Sequence, residues 1–190
     1  MTEPRSDEEL QQARVTPLVP HNAPVTLVEY TDEWPRLFAR EAERIRSLLG
    51  DEVRLLEHAG STSVPGLAAK PIIDIVLAVA DSADEDAYVT PLVAGGYLLK
   101  VREPDWFEHR VLKGPDTDIN LHVFSEGASE IAAMLAFRDH LRADPADRAL
   151  YLATKRALAA RTWRHIQHYA DAKSQVVRDI MTRARPRSVD

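Results

Sequence analysis

The residues best suited to chemistry lie between His58 and Ile75, in the run His-Ala-Gly-Ser-Thr-Ser-Val-Pro-Gly-Leu-Ala-Ala-Lys-Pro-Ile-Ile-Asp-Ile. Gly60 lets backbone approach an anion closely, the amides that follow can point at it, and the Ser61 hydroxyl, with Thr62 beside it, adds a donor. Lys70 supplies a point charge, and Asp74 enters the next apolar run, where a carboxylate can hold a divalent cation. A Gly-Ser turn by itself is only a turn, and a lone lysine is ordinarily solvated. Turn, lysine and an aspartate inside an apolar strand together point to a phosphate gripped beside a metal.

These residues need two strands and a loop to hold them. Val53 to His58 reads as one strand and Pro71 to Ala80 as a second, whose continuous apolar character beyond Asp74 predicts a central position covered on both faces. Before them, Val25 to Tyr30 reads as a short strand and a helix is expected from a cap near Asp32 to Leu49, ended by Gly50. After them come a helix over Asp81 to Gly96 and short strands at Tyr97 to Val101, Glu108 to Lys113 and Ile119 to Phe124. Beyond Phe124 the character changes to helices at about 126–142, 146–160 and 165–184, with Asp144-Pro145 as a start signal. Residues 1–23 lack periodicity and are expected to be an N-terminal arm, mobile or strapped over the surface. Residues 24–184 form a single domain, with the sheet unit ending near 124, and residues 185–190 a fraying tail.

Bulk properties narrow the partners. In 190 residues, 30 acidic against 24 basic side chains give a net charge of -6, which disfavours general nucleic-acid binding and suits small anionic ligands. The absence of cysteine excludes disulfides, zinc thiolates and a thiol nucleophile. No run is long enough to cross a bilayer, so a cytoplasmic, membrane-free protein is the expectation. Neither a P-loop, a dinucleotide glycine fingerprint nor a G-x-S-x-G elbow occurs.

The stretch from His58 to Ile75 resembles the signature of the GrpB-like (UPF0157) family, which is placed in the nucleotidyltransferase fold superfamily. Val28 to Pro35, Asn120 to Val123, Phe137 to Arg142, and Tyr169 with Lys173 resemble further segments of that family, so the likeness runs over about residues 25–183. It implies an α+β fold, a mixed β-sheet of nucleotidyltransferase type with a C-terminal helical bundle. Members also occur fused to dephospho-CoA kinase, which suggests an accessory role in coenzyme A metabolism. In that superfamily the strand after the Gly-Ser turn usually carries two carboxylates one residue apart, with a third on a later strand. Here Asp74 is present, but Val76 takes the second position and the later strand offers Asn120 and His122.

Alternate residues of a strand share a face, so Asn120, His122 and Phe124 lie together and His122 could face Asp74. Two readings follow. Asp74 and His122 ligate one Mg2+ or Mn2+ for nucleotidyl transfer, with Lys70 and Arg110 offsetting charge, or they merely hydrogen-bond in a non-catalytic binding or protein-interaction module. Catalytic roles fall to Asp74 and Lys70, and ligand contacts to Gly60, Ser61, Thr62, Lys70, Arg110, Arg138, Tyr169 and Lys173. His58 could orient the loop or contact ligand. Trp106 and Phe107 are read as core or rim rather than as a stacking surface. Arg138 is expected to reach the cleft, while Asp139 diverges from it by about 100° on the helix and is not expected to pair with it.

Overall fold

The computed structural model describes residues 5–184. A helix over Asp7–Gln12 (α1) opens the chain, closed at its start by a capping box in which Ser6 Oγ accepts from the Glu9 amide and the Glu9 carboxylate accepts from the Ser6 amide. Glu33–Leu49 (α2) follows, burying Trp34, Ala42, Ile45 and Leu49 while Arg36, Arg40 and Glu43 stay wet. Gly50, at φ 54°, ends it. Asp32 occupies the cap position without a side-chain cap bond; Thr31 Oγ1 accepts from the Glu33 amide instead, at 3.3 Å.

The strands are Leu55–Ala59 (β1), Ile73–Val79 (β2), Leu98–Glu103 (β3), His109–Lys113 (β4) and Ile119–Ser125 (β5), with the helix Glu85–Ala94 (α3) between β2 and β3. They form one mixed sheet in the order β1-β2-β5-β4-β3, in which β2 and β5 are parallel and the other neighbours antiparallel. This is an α+β architecture with β2 inside the sheet, as its apolar run predicts. The segment Val25 to Tyr30 is not a strand. It makes a single bridge, Val28 to Ala69, because a ladder of one residue pair is all that the neighbouring loop offers.

Period-two alternation decides which residues meet. Ile73, Ile75, Leu77 and Val79 face α2 and α3 in the main core, with Tyr88, Leu92, Leu112 and Leu121, each such side chain contributing about 1.5–3 kcal/mol by burial. On the opposite face Ala59, Val76, Ala78 and Phe124 form a smaller cluster with Ile131. Asp74 and His122 belong to that second face, where the apolar cluster stops and a cavity begins.

Four helices complete the chain: Ser129–Ala143 (α4), Pro145–Ala159 (α5), Ile166–Ala172 (α6) and Ser174–Ala184 (α7). Asp144 caps α5 as expected, its carboxylate accepting from the amides of Ala146 and Asp147, with Pro145 in the first turn. The single last helix expected over 165–184 is two, divided at Lys173. Leu141, Tyr151 and Ile180 join α4, α5 and α7 to Val64 and Leu67 of the loop after β1.

Residues 5–23 are a strap. Val15 and Arg102 exchange backbone bonds with Lys100 and Ala13, laying the strap along the free edge of β3. Arg5 pairs with Asp171, Asp7 with Arg164 and His165, and His168 bonds the Arg5 carbonyl, which ties α1 to α6. The residues from 185 onward, read as a tail, lie outside the described part of the chain.

Candidate functional site

Between the second sheet face, the strap and α4 to α6 lies a cavity of about 980 Å³, the upper end of the size usual for small-molecule sites. Ser61, Thr62, Lys70, Asp74, Asn120, His122, Tyr169 and Lys173 all line it. Seven of these eight, all but Asn120, are site residues expected from sequence, and they come from three separate stretches of chain.

Gly60 sits behind them. It has φ 63° and ψ -170°, a region open essentially to glycine, and a Cβ there would overlap the Asp74 carboxylate. The glycine therefore admits Asp74 to the turn. Ser61–Ser63 then forms a 3-10 turn, whose first amides find no acceptor within it. Thr62 is spent on structure: its hydroxyl, buried, bonds His58 Nε2 at 3.0 Å and donates to the Ile72 carbonyl at 3.4 Å. His58 stacks on Phe38 at 4.8 Å, and burial pushes its pKa down to about 4, so it is a neutral residue that orients the loop and lies outside the cavity.

Asn120 Nδ2 donates to Asp74 Oδ1 at 2.8 Å, the two residues being direct partners across β2 and β5. His122 Nε2 lies 3.7 Å from the same oxygen, an electrostatic contact too long for a hydrogen bond. Burial opposes ionisation of Asp74, but His122, Asn120 and Lys70 outweigh it and hold the carboxyl below its ordinary range. The pair offers an imidazole nitrogen and a carboxylate oxygen 3.7 Å apart, donors of the kind that would hold a divalent cation.

Opposite Asp74 stand three lysines. Lys173 Nζ lies 4.7 Å and Lys70 Nζ 5.8 Å from the centre of the Tyr169 ring, and Lys155, only 2% exposed, donates to the Ala68 carbonyl at 2.7 Å. Among the described residues no carboxylate comes within ion-pairing distance of any of them. Burial, reinforced by Lys173 and Lys70 and opposed by Asp74, pushes Lys155 down to about 7; burial likewise lowers Lys70 and Lys173. Four buried side-chain atoms among the described residues lack a protein partner, and three of them, Arg14 Nε, His165 Nδ1 and Tyr169 Oη, belong to residues of the cavity wall. Buried polar groups are nearly always satisfied, which sets these three atoms apart from the rest of the fold.

Two expected ligand residues lie elsewhere. Arg110 points to the other side of β4, where Glu85 and Glu108 bind it at 2.7 and 3.2 Å; alternation puts His109 and Val111, not Arg110, on the cavity face. Arg138 donates to Glu57 and to the His58 carbonyl and lines a separate groove of about 480 Å³ with Tyr30 and Phe38. It also pairs with Asp139 at 2.8 Å, against expectation, because a long guanidinium reaches across the 100° that separates their Cα–Cβ directions. Trp106 is 42% exposed and packs edge-on against His109 and Phe124 at the rim.

Lys155 escaped sequence reading, yet Asp147, Tyr151, Lys155 and Ala159 form a buried stripe at intervals of four, and a lysine within such a stripe is a signal in itself. Glu103, His109 and the half-buried Glu130, whose pKa burial raises against the pull of His122, were also missed as cavity residues. The other histidine and carboxylate grouping, His140 with Asp144 and Asp147, is occupied internally: Asp144 caps α5, and Asp147 binds His140 and Arg183.

The molecule is thus a mixed-sheet α+β protein with a cationic cavity built around one ionised aspartate. The chain belongs to the GrpB family, whose model, described as GrpB protein, matches residues 24–183. A UPF0157 protein of Halalkalibacterium halodurans is 65% identical over 95% of this chain and 93% of its own length. The crystal structure of the conserved protein GrpB from Enterococcus faecalis superposes with a TM-score of 0.69 at 30% identity, covering 83% of this chain and 98% of that one. A dephospho-CoA kinase of Mycolicibacterium paratuberculosis is 33% identical over 85% of this chain, which spans 46% of that protein. No helix among the described residues is long and apolar enough to cross a membrane.

Proposed function

We propose that the chain binds a nucleotide or other phosphorylated small molecule in this cavity together with Mg2+ or Mn2+, and that nucleotidyl transfer is the reaction such a site would serve. The observation that carries this reading is the convergence of Lys70, Lys155 and Lys173 on a cavity where, among the described residues, no carboxylate pairs with them. Buried cations without counter-ions are costly, and an anionic ligand relieves that cost. Lys70 and Lys173, with the turn at Ser61, would hold phosphate oxygens, and the buried strap atom Arg14 Nε offers a further donor. Asp74 and His122 would hold the ion, which would supply charge neutralisation at the reacting phosphate. The nucleotidyltransferase type of the sheet, and the role of α4 to α7 as a bundle closing one side of the cleft, belong to the same proposal.

One carboxylate where the superfamily has several is the main departure, and it favours binding over rapid turnover. The rival is an interaction module without ligand. The kinase named among the relatives puts coenzyme A compounds into the test alongside nucleotides.

The test is thermal unfolding of wild type and Asp74→Asn with nucleoside triphosphates, coenzyme A and sugar phosphates, each with and without Mg2+ or Mn2+. A ligand at about a hundred times its Kd adds about 2.7 kcal/mol, or roughly 5–10 °C for a chain of this size. The expected result is a metal-dependent rise that Asp74→Asn loses while keeping its fold. No rise with any compound would refute the reading and favour the interaction module.

A further inference from the structure

His122 is the last member of a hydrogen-bonded chain. Glu103 Oε2 lies 2.8 Å from His109 Nδ1, and His109 Nε2 lies 3.0 Å from His122 Nδ1. An ionised carboxylate only accepts, so His109 donates to Glu103 through Nδ1. Its Nε2 is then the acceptor, and His122 donates to it through Nδ1. In the neutral His122 ring this leaves Nε2, the nitrogen that faces Asp74 Oδ1 at 3.7 Å, as the one with the lone pair.

The fold holds this chain in place. Glu103 and His109 are the terminal partners of β3 and β4, joined by a tight turn in which Phe107 and Glu108 both adopt positive φ, at 56° and 49°. His109 is buried, stacked on Phe124 at 4.6 Å and met edge-on by Trp106 at 5.0 Å. Glu103, Phe124 and Trp106 therefore fix the His109 ring against His122.

We propose that Glu103 and His109 are positioning residues that set the His122 tautomer, presenting its Nε2 lone pair to the cavity so that His122 and Asp74 form a nitrogen and oxygen ligand pair selecting a first-row transition ion over Mg2+. The inference rests on the metal reading of Asp74 given above and adds the choice of ion to it. Imidazole favours such ions, whereas Mg2+ is satisfied by carboxylate, phosphate and water. Outer partners of a metal-binding histidine act in this way generally, by fixing tautomer and orientation.

The first measurement needs no metal: long-range proton–nitrogen NMR of the 15N-labelled full chain, which reads the tautomer of His122 directly. Wild type is expected to carry the proton on Nδ1. His109→Phe keeps the stack on Phe124 and the edge contact with Trp106 but removes the acceptor, so the His122 proton moves toward Nε2. Co2+ titration, followed by its visible absorption, then weakens about 10–100-fold in His109→Phe, while Mg2+ affinity is unchanged. Glu103→Gln, which can turn an N–H toward His109, shifts both readouts the same way by less and serves if His109→Phe does not fold.

A wild-type proton on His122 Nε2, as a doubly protonated His109 would enforce, overturns the relay. So does Co2+ affinity unmoved in both variants. If wild type shows the Nδ1 tautomer but binds no Co2+, the choice of ion is overturned; a thermal rise with Mg2+ and nucleotide would then leave the broader functional reading intact, and its absence would remove that reading too.

Discussion

Gly60→Ala tests the central contact of the site with the fewest assumptions. The backbone at Gly60 lies at φ 63° and ψ -170°, where a side chain is strained by about 1–3 kcal/mol. The new methyl would also overlap Asp74 Oδ2 and stand 2.9 Å from the Asp74 Cβ and Cγ. Asp74 is held from its far side by Asn120 and His122, so it cannot simply swing away, and overpacking of this kind adds about 1–3 kcal/mol. Reduced freedom of the unfolded chain offsets about 0.4–1 kcal/mol. The net expectation is a loss of about 2–4 kcal/mol in urea unfolding, with m unchanged. Asp74→Ala in the same background removes the overlapping carboxylate but neither the backbone strain nor the 2.9 Å approach to Cβ, so the double-mutant cycle should recover part of the loss. A Gly60→Ala protein within about 0.5 kcal/mol of wild type, the range of an inconsequential surface change, would refute the close approach of Gly60 to Asp74.

Two further outcomes follow from the cavity. Lys155, held near 7 by burial, binds its proton more weakly folded than unfolded, so wild-type stability should rise as pH increases from about 7 toward 10, while Lys155→Met, which keeps the packing, should be flatter over that window in pH-dependent unfolding. For the same reason an anion bound beside Lys155 should draw in a proton near pH 7, seen as a buffer-dependent heat in calorimetry. Tyr169→Phe deletes a buried hydroxyl that has no partner among the described residues, so the free protein should keep or gain up to about 1–3 kcal/mol, while phosphate-ligand affinity falls if that hydroxyl serves the ligand; a destabilised variant would show that Tyr169 Oη is satisfied within the fold.

The sequence was most legible where one local rule governs a residue. The turn at Gly60, the aspartate in an apolar strand and the alternation of Asn120, His122 and Phe124 each follow from a period or a backbone requirement, and the structure brings them to one face of the sheet. Arg110 was misassigned because the face of β4 depends on its register with β5, and Arg110 pairs with Val123, a residue of the opposite, α3-covered face. Arg138 was misassigned because nothing local fixes where a helix after the sheet will lie; α4 turns that side chain toward Glu57 and the carbonyl of His58. The strap was equally opaque, since its hold on β3 and α6 is made of backbone bonds and ion pairs with residues far along the chain.

The charge pattern of the cavity constrains what can fill it. Of the cavity's other acids, Glu103 is engaged by His109, Asp171 by Arg5, and burial favours the neutral form of Glu130, so Asp74 stands opposite three lysines, and a divalent ion at Asp74 and His122 would add to the positive side. A monoanion would leave buried charge uncompensated, which is the expensive state. The arrangement therefore suits a ligand with several negative charges spread over a chain of phosphates, one end near the ion and the other against Lys70 and Lys173. A depressed Lys155 moderates the imbalance in the free protein by giving up its proton near neutrality, and would regain it on binding such a ligand. Proton uptake should consequently grow from a monophosphate to a triphosphate of the same nucleoside, and equal uptake along that series would place Lys155 outside the phosphate site.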